Sequence, residues 1–132
     1  MSTPSTKDIL LDAALMHVPF DGWSDAALAA ALDDTGLDTT AAKAVFPRGA
    51  VDMALAYHAR GDAQMLAALQ AADLGDMRFR DRVAYAVRLR LEVVEDKELV
   101  RRGMTLFALP PYAADGARAL WQTADHIWQA LG

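Results

Sequence analysis

The sequence contains no cysteine, and its serines are confined to Ser2, Ser5 and Ser24. Disulfide staples and thiolate nucleophiles are therefore excluded, and the lack of cysteine fits a reducing compartment. None of the serines stands in a Gly-x-Ser-x-Gly elbow, so the hydrolase arrangement is missing as well. The histidines His17, His58 and His126 are scattered, without a Glu-x-x-His or His-x-x-x-His pair. Glu92, Glu95 and Glu98 fall one helical turn apart but lack the histidine partners of a carboxylate-bridged metal bundle. No glycine-rich loop follows a strand, which removes the common nucleotide-binding fingerprints. The expectation is a protein that is not an enzyme, with no catalytic residue, no metal ligand and no cofactor. Long apolar runs are absent too. The longest spans Ala26–Leu32, against the roughly 20 residues a membrane-spanning helix needs. Residues 1–6 carry neither the basic nor the apolar region of a secretion leader, so a cytoplasmic location is expected.

Positive charge is scarce where a helical DNA-binding head would want it. The chain of 132 residues has a net charge of −5. Residues 1–60 hold Lys7, Lys43, Arg48 and Arg60 against eight aspartates, a net −4. Phosphate contacts need the opposite sign, so the electrostatics argue against DNA as a partner. Yet the order of elements is that of a helix-turn-helix. A first helix through Ile9–Leu15 is followed by Gly22–Trp23, a short helix over Ser24–Thr35, a turn at Gly36, and a second short helix over Asp38–Phe46. Pro47 ends it, because proline lacks the amide proton and clashes with the preceding turn. Residues 1–47 read as a three-helix, helix-turn-helix-like head of tetracycline-repressor type, and residues 48–132 as a C-terminal helical bundle in the same compact unit.

What is abundant is alanine and leucine, within a hydrophobic share of 54%, and with few β-branched residues this favours helix throughout. The first apolar stripe reads Ile9, Ala13, Met16 and Phe20 at helical spacing. Further on, Gly49–Ala59 forms a fourth helix, Gly61–Asp62 a stop followed by a cap, and Met65, Leu66 and Leu69 the inner face of a fifth. A longer helix over Met77–Glu95 presents Phe79, Val83, Ala86, Val87, Leu91 and Val94 inward. Asp96 caps the next, which buries Val100, Met104 and Phe107 and stops at Pro110–Pro111. The last runs from Ala113 to Leu131 with Leu120, Ala124, Ile127 and Leu131 on one stripe. The fold class is all-α, about eight helices with short connections.

Several features can carry function. Trp121, Asp125 and Trp128 lie beside the last helix's core stripe, either as an exposed pair of indoles flanking a carboxylate or as core residues. Exposed tryptophan next to a charge is the composition of a protein-binding hot spot. Phe79, Tyr85, Leu89, Met104, Phe107 and Trp121 are large, soft side chains that either line an adaptable lipid cavity or fill an ordinary core. The arginines from Arg78 to Arg90 read as a solvated face, and His17 and His58 as satisfied core histidines. Gly103 within a helix costs about 1 kcal/mol relative to alanine, which points to a close backbone approach there.

Two stretches resemble one family. The first is Ile9–Leu15 continuing into His17–Val18–Pro19–Phe20–Asp21–Gly22–Trp23–Ser24, with Phe46–Pro47–Arg48–Gly49. The second is Leu109–Pro110 with Leu120–Trp121–Gln122–Thr123–Ala124–Asp125–His126–Ile127–Trp128. Together they are similar to the ubiquinone-biosynthesis accessory proteins of the coenzyme Q protein-nine family, from about Ile9 to Gly132. The resemblance implies a tetracycline-repressor-like fold that does not repress, often as a homodimer. It implies a non-catalytic protein binding isoprenoid or phospholipid and presenting a quinone intermediate to the di-iron hydroxylase of the pathway. Asp125 and Trp128, with Trp121 beside them, match the hydroxylase-docking patch. Family members carry further helices after the position of Gly132. One is amphipathic and associates with membrane, which implies a peripheral place at the inner membrane. The alternatives are a tetracycline-repressor-type transcription regulator reading DNA through Asp38–Phe46, and an assembly scaffold without ligand.

Overall fold

The computed structural model describes residues 5–94 and 96–132; Glu95, one of the carboxylates noted above, lies outside them. All regular structure in the described residues is helical. The elements are α1 (Thr6–Leu15), α2 (Val18–Asp21), α3 (Asp25–Thr35), α4 (Thr39–Val45), α5 (Ala50–Ala71), α6 (Phe79–Glu92), α7 (Lys97–Phe107) and α8 (Ala113–Leu131), with a 3-10 turn at Pro110–Tyr112 before α8. The helix starts follow from side-chain caps. Ser5, Ser24, Asp38 and Asp96 each accept from a backbone amide of the first turn, satisfying donors that have no partner inside the helix. Gly36 ends α3 in the left-handed conformation at φ 72°, where glycine carries no Cβ penalty.

Two differences from the sequence reading matter for the site. The chain does not stop at Gly61–Asp62, which lie within the single 22-residue helix α5. Conversely, the first stripe is not carried through one helix, since α1 ends at Leu15 and Pro19 opens α2. The phase is lost at that break. Within α1 the buried face is Leu10, Leu11 and Ala14, which leaves Ile9 exposed; past the break Met16 and Phe20 are exposed, Phe20 by 83%, while Val18 is buried.

The larger core joins α1, α3, α4 and the first half of α5 around Leu10, Leu11, Trp23, Phe46 and Met53, and it includes Leu99 of α7. The Trp23 indole donates to the Leu99 carbonyl at 3.0 Å. A smaller core gathers Met65, Leu69, Ala86 and Ile127 from α5, α6 and α8. The inward stripe of α8 is Asp115, Gly116, Ala119 and Ile127, whereas Leu120 and Ala124 are exposed. Small residues win there because helix backbones approach closely. A Cβ on Gly116 would meet the Phe107 Cβ at 2.7 Å. In the same way α6 buries Ala86 and leaves Phe79, Val87 and Leu91 exposed, and α7 buries Leu99 and Gly103 rather than Val100 and Met104.

Candidate functional site

Some of the apolar side chains that the later helices leave outside the cores come together on one surface, while Phe79 and Val87 stay apart from it. Leu91 of α6 and Val94 just after it, with Val100, Met104 and Phe107 of α7 and Leu120 of α8, line an open groove of about 580 Å³ against α5. Its lining is chiefly apolar and includes Trp23 and Tyr57, whose rings meet at a tilt of 38° with centroids 5.7 Å apart. Gly103 faces both the groove and the Trp23 indole, at 3.5 Å from where its Cβ would stand.

A polar cluster forms part of the wall where α5, α6 and α8 meet. Asp62 is 2% exposed. Its carboxylate accepts from Arg90 Nε at 2.8 Å, from the Thr123 hydroxyl at 2.8 and 2.9 Å, and from His126 Nδ1 at 3.0 Å. Arg90 also donates through Nη2 to the His58 carbonyl at 3.0 Å. His58 Nε2 lies 3.1 Å from the Ala119 carbonyl and 2.7 Å from the Thr123 hydroxyl. The Thr123 proton is directed to Asp62, so His58 donates from Nε2, a tautomer inferred from the network. Nδ1 is then an acceptor, facing Arg90 Nη2 at 3.4 Å.

Burial pushes the His58 imidazole below its ordinary value, Arg90 reinforcing this and Asp62 opposing it. For Asp62, burial works against the charged form, but hydrogen bonds from Arg90, Thr123 and His126 outweigh it and hold the carboxyl below its ordinary range. Asp62 is therefore a buried anion paired with the Arg90 cation, and the His58 imidazole beside them is neutral at neutral pH.

Of the six side chains assigned to lipid by type, the groove takes Met104 and Phe107. Tyr85 and Leu89 pack on the smaller core, Phe79 meets Trp128 edge-to-face at 5.6 Å, and Trp121 stands 77% exposed. Trp128 is 63% exposed, and Asp125 accepts from the Gln129 amide at 2.9 Å. Trp121, Asp125 and Trp128 thus lie on solvent-facing parts of α8. Of the histidines, His58 is satisfied within the polar cluster, whereas His17 pairs with Asp34 near the surface at 2.6 Å.

Asp62, Arg90 and Thr123 were not singled out as site residues from the sequence. The signal available was the unbroken spacing of Val51, Ala54, His58, Asp62, Met65 and Leu69, which carries one helical face straight through Gly61. Among the described residues no group of three or more His, Asp or Glu side chains could hold a metal ion, and no described helix is long and apolar enough to cross a membrane.

Fold and site together define an all-α protein with an open apolar groove backed by a buried ion pair. No protein-family model matches the chain. It is 30% identical over 123 residues to the mitochondrial ubiquinone biosynthesis protein COQ9 of Drosophila melanogaster, a match covering 89% of this chain. The chain spans 37% of the length of that relative.

Proposed function

We propose that this chain acts in ubiquinone biosynthesis as a COQ9-like, non-catalytic accessory protein with a tetracycline-repressor-like fold. It binds an isoprenoid quinone intermediate in the groove and presents it to a di-iron hydroxylase. The observation that carries this reading is the groove itself. Its volume of about 580 Å³ falls within the several hundred Å³ typical of small-molecule sites, and its lining suits an isoprenoid tail. The similarity to a ubiquinone biosynthesis protein supports the pathway. The exposed Trp121 and Trp128 with Asp125 between them support α8 as the hydroxylase-docking face, since indoles beside a charge are typical interface anchors. A peripheral place at the inner membrane and a homodimer belong to the same reading, and a phospholipid is the alternative occupant.

Native mass spectrometry of the purified protein, with organic extraction of what travels with it, tests the proposal. An isoprenoid quinone or other lipid is expected, and Met104→Trp, which fills the groove, is expected to exclude it. A protein that carries no lipid and takes up no added decylubiquinone overturns the lipid function and leaves an assembly scaffold.

A further inference from the structure

Arg90 is the one charged side chain among the described residues that line the groove. It is 16% exposed, and Nε and Nη2 are committed to Asp62 and to His58. The two protons on Nη1 make no hydrogen bond within the described residues, so the guanidinium retains donors that a ligand can use. Its charge, however, is already matched. Asp62 sits 2.8 Å from Nε and cannot turn away, because Thr123 and His126 hold both of its oxygens. The groove thus offers a directional donor with little net field, and no second cation among the described residues to help hold an anion.

We propose that Arg90, held by Asp62 and His58, is the head-group anchor of the groove and selects amphiphiles with an uncharged, hydrogen-bond-accepting head over anionic lipids. The proposal rests on the reading of the groove as a lipid site and adds the chemistry of the ligand's polar end. A quinone or ketone carbonyl fits, since it needs donors and brings no charge. A carboxylate or phosphate must be desolvated against a guanidinium whose countercharge is already in place. Desolvation is then repaid for the neutral head and not for the anionic one.

The test uses three probes with the same ten-carbon tail: decylubiquinone, decyl phosphate and decylbenzene. Binding to the full chain is followed by quenching or displacement at Trp23, which lines the groove. Decylubiquinone is expected to bind about tenfold more tightly than either of the others, the worth of one hydrogen bond from a charged donor. Asp62→Asn removes the countercharge by putting an amide in place of a carboxylate of nearly the same shape, and it is expected to shift the preference toward decyl phosphate. A thermal melt establishes that this variant is folded, and the wild-type series stands without it. Equal binding of the three probes, or a wild-type preference for decyl phosphate, overturns the anchor while leaving the groove as a lipid site. Failure of the wild type to bind any of them removes the lipid reading itself.

Discussion

The guanidinium of Arg90 occupies the space that a Cβ on Gly61 would fill. Nη1, Cζ and Nη2 all lie 2.5 to 2.6 Å from that position. Glycine is thus present in the middle of α5 because an arginine from α6 lies flat against the helix backbone on its way to Asp62. The same substitution is therefore expected to act in opposite directions at different glycines. Gly61→Ala must push aside a hydrogen-bonded guanidinium, and Gly116→Ala meets the Phe107 Cβ at 2.7 Å. Each is expected to cost about 1–3 kcal/mol by overpacking. Gly103→Ala finds only ordinary contact with Trp23 at 3.5 Å and should gain up to about 1 kcal/mol of helix propensity. Urea midpoints of the three variants check this, and a stabilised Gly116→Ala would contradict the close approach of α7 and α8.

Removing Asp62 strands Arg90 in a mostly buried site. Asp62→Ala is expected to destabilise the protein by about 3 kcal/mol, the usual scale for breaking a buried ion pair from one side. Replacing Arg90 and Asp62 together by glutamine and asparagine should cost clearly less than the separate losses combined. Chemical denaturation of the single and double variants reads the coupling, and simple additivity would show that the two residues act independently.

The cluster also sets how stability responds to acid. His58 has a folded value lowered from 6.5, so the unfolded chain binds its proton first. Stability is complete above that value and declines as pH falls from 6.5 toward the depressed folded value. Asp62 is lowered from 3.8, and its contribution is present above that value and lost as pH falls further through the folded one. Urea midpoints measured from pH 8 to pH 3 should therefore decline in two stages, and His58→Gln should remove the first. A flat profile down to pH 5 in the wild type would rule out the neutral, buried histidine.

Trp121→Ala and Trp128→Ala change side chains that solvent largely surrounds. Trp121→Ala should alter stability by no more than about 0.5 kcal/mol, and Trp128→Ala somewhat more because of its contact with Phe79. If α8 docks the hydroxylase, the double variant should lose at least about tenfold in affinity for it, as interface anchors do. Surface plasmon resonance against the purified hydroxylase measures this, and unchanged affinity would move the docking face elsewhere.

Much of the architecture was legible in the residues alone, because it depends on interactions local in sequence. Ser24, Asp38 and Asp96 cap helices within three residues of themselves, Gly36 and Pro47 end them, and the absence of strand patterning leaves only helix. The short helices over residues 24–35 and 38–46 followed from their caps and turns for the same reason. Faces of the later helices did not, since hydrophobicity alone cannot decide which of two apolar stripes turns inward. Small residues at Gly116 and Ala119 let α8 pack closely and left Leu91, Val100, Met104 and Leu120 to line a groove. Gly103, by contrast, expected from its place in a helix to mark a close backbone approach, meets only the Trp23 side chain at ordinary contact distance. Nor could the sequence join Asp62 to Arg90, Thr123 and His126, between 28 and 64 positions away. Gly61–Asp62 had the local pattern of a helix stop and cap, and only the arrival of an arginine from another helix makes the glycine a passage and the aspartate a buried counterion. Helix content and helix starts were thus determined locally, while the groove and its polar wall exist only because α5, α6, α7 and α8 pack together.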